Sequence, residues 1–302
     1  MHIPDGFLTN RIAVSLDVVS AASILYAARR LKVDFAGRMV PIMGVLAAFV
    51  FAAQMLNFPI LGGTSGHLIG GSLLAILLGP TAASLTVATV VIAQAFFLQD
   101  GGLIALGANI FNISAVTCFS GYGIYKILGG GGSGGKRLLV AGFSAGWASS
   151  MISSACCAIE IGLSGAIPMR IGLTAMLGYH AIVGVFEGMF TAGVLSFLFK
   201  VRPDLTKINS QSRFGIADWI GAVLFVAVPV YILFAAGSSS LPDPLQKLLA
   251  VNQAASGPVA ESGGLASAAR YKDYAIGIAV FIFLMGVGLS ATYLIRRRKG
   301  RT

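Results

Sequence analysis

The sequence has 302 residues, of which 56% are hydrophobic and only 11% are charged, and its formal net charge is +10. Soluble globular domains carry about 25% charged residues, so this composition excludes an ordinary soluble protein. The positive charge does not indicate nucleic-acid binding, because the basic residues cluster at the ends of apolar stretches, where they orient a protein in a membrane.

Apolar stretches recur along the chain, and several reach the roughly 20 residues that a membrane-spanning helix needs. We therefore predict an all-α polytopic membrane protein with about nine membrane segments. In chain order, the stretches are 12–28, 40–56, 68–78, 81–98, 103–128, 138–163, 171–199, 219–236 and 274–295. The stretch 68–78 is short for a span, and we expect the glycine-rich passage 57–67 before it to be a non-helical loop that dips inward.

The basic residues predict one orientation of these segments. The loop 29–38 is rich in Arg and Lys, which places it in the cytoplasm and Met1 outside. Alternation then puts the pair Lys136-Arg137, the loop 200–213 and the basic C-terminus in the cytoplasm as well. The predicted outer loops are 57–67, 99–102, 164–170 and 237–273.

A change in composition near residue 200 predicts two units. Residues 1–200 form a membrane core, and residues 201–213 form a polar cytoplasmic linker. Residues 214–302 form an appended unit with two spans around the outer loop 237–273.

The start of the chain carries the most specific chemistry. The α-amine of Met1, the amide nitrogen of His2 and the imidazole of His2 can close fused chelate rings around one metal ion. We expect the mature chain to begin at Met1, because a bulky second residue disfavours removal of the initiator methionine. His67 lies at the same predicted outer face and supplies a fourth nitrogen. Four nitrogens in a plane suit Ni²⁺ or Cu²⁺ better than Zn²⁺, and Co²⁺ is compatible with a similar set.

Polar residues near these ligands are candidates for orienting them. Asp5 follows the chelating tip, and a carboxylate can orient a metal-bound imidazole. Asn57, Thr64 and Ser65 lie in the passage that contains His67. All four residue types also favour turns, so turn formation is the alternative interpretation.

Ionisable residues within the spans are further candidates for function. His180 and Glu187 are two helical turns apart on one face, so a structural contact between them is the first expectation and a role in the transport path is the second. For Asp17 and Glu160 we expect packing contacts. An intramembrane enzyme that uses His180 and Glu187 on a lipid is a third alternative.

Motifs for several enzyme classes are missing from the sequence. We find no GxxxxGK[ST] phosphate-binding loop, no HExxH and no GxSxG. We therefore predict that the chain is not an enzyme and does not hydrolyse ATP itself.

The octapeptide Met1–Leu8, the triplet Asn57-Phe58-Pro59 and the run 63–67 resemble the CbiM/NikM family. These proteins are the substrate-capture components of energy-coupling factor (ECF) transporters for cobalt and nickel. The resemblance covers about residues 1–200 and implies a metal site made by Met1, His2 and His67. The tail resembles the CbiN/NikN partner of such systems. Its run 241–247 is similar to a Pro-Asp-Gly-Leu-Glu signature, from which it departs at Pro244 and Gln246.

The resemblance implies uptake of Ni²⁺ or Co²⁺ as a substrate, with no permanently bound cofactor, across a prokaryotic cell membrane. The metal would supply nickel enzymes or cobalamin biosynthesis. The implied partners are a transmembrane coupling subunit and separate ATPase subunits, with membrane lipid around the core. An outer-face metal sensor without transport is the alternative function.

Overall fold

The computed structural model describes residues 1–30, 33–60, 64–129, 135–201 and 242–256. The two predicted spans of the tail, 219–236 and 274–295, lie outside these residues. So does the predicted linker 201–213, except for its first residue.

Helices dominate the described chain, as the composition predicts, and most follow the predicted stretches closely. They are α1 (Asn10–Arg30), α2 (Val33–Gln54), α3 (Gly71–Leu78), α4 (Pro80–Ala93), α5 (Leu106–Ile110), α6 (Thr117–Ile127), α7 (Gly135–Leu163), α8 (Met169–Val201) and α9 (Pro244–Ser256). Two π-helical turns interrupt this pattern, one after α4 at Gln94–Leu98 and one between α5 and α6 at Phe111–Val116. Wider turns of this kind are frequent at functional sites, because they reorient side chains within a helix.

Within the described ranges, four helical segments are long and apolar enough to cross a membrane, as expected of a multi-pass membrane protein. They are Asn10–Arg29, Pro80–Leu98, Lys136–Leu163 and Met169–Phe199. The helix α3 has 8 residues and is therefore only about 12 Å long, well short of the roughly 30 Å hydrocarbon core. The total of about nine segments and the orientation of the termini stay predictions.

The described residues of the passage 57–67 form two paired β-strands, which we call the hairpin, rather than an irregular loop. Strand β1 (Asn57–Ile60) pairs antiparallel with β2 (Thr64–His67), and the register sets Asn57 opposite His67. The sequence prediction of non-helical backbone is confirmed, but the regular pairing was not foreseen because glycines obscure the alternation of a strand. All four residues of β2 are buried, so the hairpin places His67 inside the protein.

Close helix packing depends on glycines at the contact between α7 and α8. A Cβ atom at Gly146 would lie 2.8 Å from the carbonyl oxygen of Glu187, and one at Gly188 would lie 2.7 Å from the carbonyl oxygen of Phe143. Small residues at such positions let two helix backbones approach each other directly. The two long helices α7 and α8 therefore form a closely packed pair, and the hairpin and α3 pack against it.

The acidic side chains predicted within spans are all paired. Asp17 accepts a hydrogen bond from the amide of Gly107, and Glu160 accepts one from Asn112. Glu187 accepts two, from the backbone amides of Ile69 and Gly70, at 2.8 and 2.7 Å. Because these amides belong to the connection between β2 and α3, Glu187 ties the hairpin to α8.

The prediction of a contact between His180 and Glu187 is wrong. Within the described part of the chain, each of the two side chains bonds to backbone groups instead. His180 uses Nδ1 to donate to the carbonyl oxygen of Met176, one turn earlier in α8. Glu187 is occupied by the backbone amides that the sequence pattern could not bring to it.

We expect Gly188→Ala to destabilise the protein, because the new methyl group meets backbone that cannot move aside. Overpacking of this kind costs about 1–3 kcal/mol. The effect is measured by heating the purified protein in detergent and monitoring unfolding through the labelling of the buried Cys118 and Cys157 thiols. The matched control is Gly193→Ala in the same helix, where a Cβ atom meets nothing within 4 Å. Equal melting temperatures for the two variants would contradict this packing.

Candidate metal centre

The N-terminal segment is buried rather than frayed. The exposed fractions of Met1, His2 and Ile3 are 2%, 4% and 0%. Asn109 of α5 holds Ile3 on both sides: its Oδ1 accepts from the Ile3 amide at 2.7 Å, and its Nδ2 donates to the Ile3 carbonyl at 3.0 Å. The amide of Gly102 donates to the same carbonyl at 2.8 Å. The backbone of Ile3 is therefore hydrogen-bonded at both its amide and its carbonyl, which fixes the position of the chain terminus.

Asp5 anchors the other end of this segment. Its carboxylate accepts hydrogen bonds from three successive backbone amides, those of Leu103, Ile104 and Ala105, at 2.8 to 3.2 Å. A carboxylate that satisfies the free amides before a helix also interacts favourably with the helix dipole. The contacts of Asp5 thus position the N-terminal segment as a whole, whereas its predicted role was to orient an imidazole.

The hairpin delivers His67 to the N-terminal amine. His67 Nε2 lies 3.0 Å from the Met1 nitrogen, and His67 Nδ1 donates to the carbonyl oxygen of Leu68 at 3.0 Å. The bond from Nδ1 fixes the tautomer, so the lone pair lies on Nε2 and faces the amine. Metal–nitrogen bonds of about 2.0–2.1 Å place neighbouring ligands of a square-planar ion about 2.9 Å apart. The observed spacing is therefore close to that of two adjacent ligands.

The ring of His2 stacks beside that of His67, with centroids 5.7 Å apart and planes inclined by 21°. His2 Nε2 lies 3.2 Å from Oε1 of Gln94, and Nδ1 lies 3.3 Å from a carboxylate oxygen of Asp100. Gln94 is fully buried, whereas the Asp100 side chain is 40% exposed and its charge is screened by water. A proton on Nε2 is donated to Gln94, whereas a proton on Nδ1 is donated to Asp100, so the two contacts correspond to opposite tautomers.

Nδ1 is the ring nitrogen that chelation requires. It closes a six-membered ring with the amide nitrogen of His2, next to the five-membered ring formed by that amide and the Met1 amine. Asp100, beside Nδ1, adds negative charge where a cation would arrive. Gly101, at φ +93°, lets the loop approach this closely, because a Cβ atom there would lie 2.7 Å from Asn109 and 3.2 Å from His2.

The surroundings keep both imidazoles neutral. Burial, the ammonium of Met1 and the neighbouring His2 ring together lower the pKa of His67 to about 3. Burial also lowers the pKa of His2, against the opposing effect of Asp100. Neutral rings retain the lone pairs that a metal ion needs.

A residue of the tail reaches the same place. Asp243, immediately before α9, lies 3.2 Å from the Met1 nitrogen through Oδ2 and forms an ion pair with it. Burial has the largest single effect and would raise the pKa of Asp243, but the Met1 ammonium, the hydrogen bond from the Gln246 amide and His67 together lower it. The N-terminal amine therefore has two partners, one from the core and one from the tail.

The three other polar residues predicted near the ligands take structural positions in the hairpin. Asn57 pairs with His67 across the strands. The Thr64 hydroxyl and the Ser65 amide both donate to the carbonyl oxygen of Pro242, at 2.7 and 2.8 Å. Thr64 and Ser65 thus hold the segment that contains Asp243.

Four residues at the centre were missed by the sequence analysis: Gln94, Asp100, Asn109 and Asp243. Gln94 and Asn109 are polar side chains within long apolar stretches, and that is the signal that could have found them. Asp243 lies in the run that carries the resemblance of the tail. Asp100 lies in a predicted outer loop, and nothing in its sequence context points to His2.

Together, these positions bring the Met1 amine within 3.0 Å of His67 Nε2 and stack the His2 ring beside that of His67. A small cavity lies beside them, lined by Met1, Gly66, His67, Ile69, His180, Val183 and Pro244.

Comparison with known proteins shows similarity to proteins of metal transport. Residues 2–205 match the model of the CbiM family, described as the cobalt uptake substrate-specific transmembrane region. A putative metal transport protein of Haloquadratum walsbyi is 43% identical over 207 residues, which are 68% of this chain and 93% of that protein.

The similarity to other relatives extends into the tail. A putative fused nickel transport protein NikMN of Archaeoglobus fulgidus is 36% identical over 265 residues, covering 86% of each chain. Among solved structures, a truncated transition metal transporter superposes with a TM-score of 0.60 at 31% identity, over 67% of this chain and 99% of that one.

We expect Asn109→Ala to weaken nickel binding about tenfold or more, although Asn109 is not itself a ligand. The substitution leaves the buried amide of Ile3 without its partner, which costs about 1–3 kcal/mol and loosens the chelating end. Calorimetric titration of the purified protein measures the affinity. Ser15→Ala, which removes an exposed hydroxyl from α1, is the control. An unchanged affinity in Asn109→Ala would show that the N-terminal segment is positioned by other contacts.

Proposed function

Because the chain belongs to the CbiM/NikM family and carries a fused tail, we propose that it captures Ni²⁺ or Co²⁺ as the substrate-specific membrane component of an ATP-driven ECF-type transporter. The observation that carries this proposal is the 3.0 Å approach of His67 Nε2 to the Met1 nitrogen. Two residues at the chain start and one residue 66 positions away converge there, in a multi-pass membrane protein of a metal-transport family.

In the proposed site, the Met1 amine, the His2 amide nitrogen, His2 Nδ1 and His67 Nε2 bind the ion in a plane. The two chelate rings fix three of these nitrogens relative to one another, so His67 completes the square opposite the amide. In this proposal, Gln94 accepts from His2 Nε2 and Leu68 accepts from His67 Nδ1, which leaves the other nitrogen of each ring for the ion. Hydrogen bonds of this kind orient metal ligands and increase their basicity.

Planar coordination by nitrogen favours nickel over zinc, which prefers a tetrahedron. Loss of the amide proton favours nickel further, because the resulting anionic nitrogen is a strong ligand for it. We therefore place nickel first and cobalt second as the transported ion.

The proposal assigns different roles to the core of this chain, to its tail and to separate subunits. Residues 1–200 are the capture core, and residues 214–302 are a CbiN/NikN-like unit with two spans around the outer loop 237–273, joined by the linker 201–213. The sequence has no phosphate-binding loop, so the energy comes from separate ATPase subunits through a transmembrane coupling subunit. Metal released inside supplies nickel enzymes or cobalamin biosynthesis.

We expect His67→Ala and His2→Ala each to abolish high-affinity nickel and cobalt binding, because three nitrogens cannot complete the plane. Titration of the purified variants, with absorption spectroscopy of the planar nickel complex, measures the loss. Thr89→Ala, which removes a partly exposed hydroxyl on α4, is the control. Undiminished affinity in both histidine variants would refute the assigned ligands.

Transport is distinguished from sensing by uptake of radioactive nickel into cells. The proposal expects uptake only when the ATPase and coupling subunits are present, and none with His67→Ala. Binding at the cell surface without uptake, in the presence of every partner, would favour the sensor.

We expect a short extension before Met1 to abolish metal binding, since it converts the chelating amine into an amide. If a protease then removes the extension and restores Met1 as the first residue, binding should return in the same sample. The planar nickel absorption band measures both states. Equal binding before and after cleavage would show that the amine is not a ligand.

A further inference from the structure

The 99–102 loop lies against the N-terminal segment and is fixed to its surroundings at two points. The Asp100 amide donates to the carbonyl oxygen of Gln94 at 3.2 Å, and the Gly102 amide donates to that of Ile3 at 2.8 Å. The backbone of the loop is therefore held in place, and the side chain of Asp100 extends from a fixed position.

The conformation of this loop is unusual immediately before Asp100. Gln99 has φ +55° and ψ +29°, in the left-handed region that residues other than glycine seldom adopt. Backbone conformations of this kind cluster at functional sites, where the surrounding structure enforces them. Here the turn brings the loop against His2, since a Cβ atom at Gly101 would lie 3.2 Å from the Cβ atom of His2.

The carboxylate of Asp100 is in contact with a proposed metal ligand and with water at the same time. Its Oδ1 lies 3.3 Å from His2 Nδ1, and its side chain is 40% exposed, whereas that of His2 is 3% exposed. Within the described part of the chain, Oδ2 of Asp100 has no hydrogen-bond partner. One oxygen of this carboxylate is therefore open to a cation that arrives from water.

The carboxylate of Asp243, which also touches a proposed ligand, is placed differently. Its side chain is 12% exposed, and its two oxygens are engaged by the Met1 amine and by the amide of Gln246. Of these two carboxylates, only that of Asp100 is both open to water and beside a chelating nitrogen.

The proposed ligands lie too deep for a hydrated ion to reach them directly. Met1, His2 and His67 are at most 9% exposed. An ion from water must exchange its water ligands for nitrogens one after another. A carboxylate is an oxygen donor, as water is, and it binds divalent transition metal ions. A carboxylate that reaches both environments can therefore take the place of the first water.

We propose that Asp100 is a transfer residue, whose carboxylate binds the incoming ion from water and passes it to His2 Nδ1. First, a carboxylate oxygen replaces one water ligand of the ion. Then the lone pair of Nδ1 replaces the carboxylate oxygen, and the ring keeps its contact with Gln94 through Nε2. The proposal rests on the proposed function, since it uses the ligands of that site. Asp100 binds the ion in transit and is not one of the four ligands in the plane.

A residue that binds the ion in transit lowers the barrier to entry and the barrier to release. Its loss therefore slows association and release together and changes the affinity less than either rate. A residue that only stabilises the bound ion has the opposite effect on release, because its loss makes release faster. Water screens the exposed charge of Asp100 from the bound ion, so the effect on transfer is the larger one.

The variant that tests the transfer is Asp100→Asn, which keeps the size of the side chain and removes its charge. The matched control is Glu261→Gln, the same change of charge in the predicted outer loop 237–273. Each full-length protein is mixed rapidly with Ni²⁺ to record association. The nickel-loaded protein is then mixed with excess chelator to record release, and the planar nickel band measures both rates.

We expect association to be about tenfold slower in Asp100→Asn, because the loss of an attractive charge on the path to a site acts mainly on the association rate. Release should slow by a similar factor, and Glu261→Gln should match wild type. Unchanged association in Asp100→Asn would overturn the proposal. Faster release or loss of nickel binding at equilibrium would overturn it too, as would equal slowing in Glu261→Gln, which would assign the effect to overall charge.

A parallel titration of His67→Ala separates this proposal from the function beneath it. If nickel binding depends on His67 while both rates are unchanged in Asp100→Asn, the transfer role fails and the site stands. If His67→Ala binds as tightly as wild type, or wild type binds no nickel, the proposed site and the transfer role fail together.

Discussion

The buried N-terminal amine is the constraint on which the rest of this centre depends. An ammonium group without partners is costly to bury, and here it is satisfied by His67 on one side and Asp243 on the other. For His67 to reach the amine, the hairpin must carry it inward. For Asp243 to reach the amine, the segment 242–256 must lie against the hairpin. The same N-terminal segment is held in place by Asn109, by Asp5 and by the close approach of Gly101 and Gly102.

Much of this arrangement could be predicted from residue types and spacing. The Met1-His2 start and His67 stand out because histidine is rare in this chain and because three nitrogens at one chain end form a chelator. Long apolar stretches also predicted α1, α4, α7 and α8 nearly to their ends. In each of these cases, the physical signal is local: a chelate ring, or a run of hydrophobic residues.

What could not be predicted depends on contacts between distant segments. Glu187 was expected to meet His180 because helical spacing puts both on one face, yet two backbone amides from the hairpin connection occupy it. No pattern within α8 reveals those amides. Likewise, Asp243 reaches Met1 from 242 positions away, and Gln94 contacts the His2 ring from a π-helical turn that apolar periodicity does not encode.

The bond between Glu187 and the hairpin connection also has a mechanical consequence. The backbone two and three residues after His67 is clamped to the middle of α8, a helix of 33 residues. His67 is therefore coupled to α8, and a tilt or rotation of α8 relative to the N-terminal segment would change the distance between His67 Nε2 and the Met1 amine. In the proposed site, the inclination of a membrane helix would then set the spacing of two metal ligands.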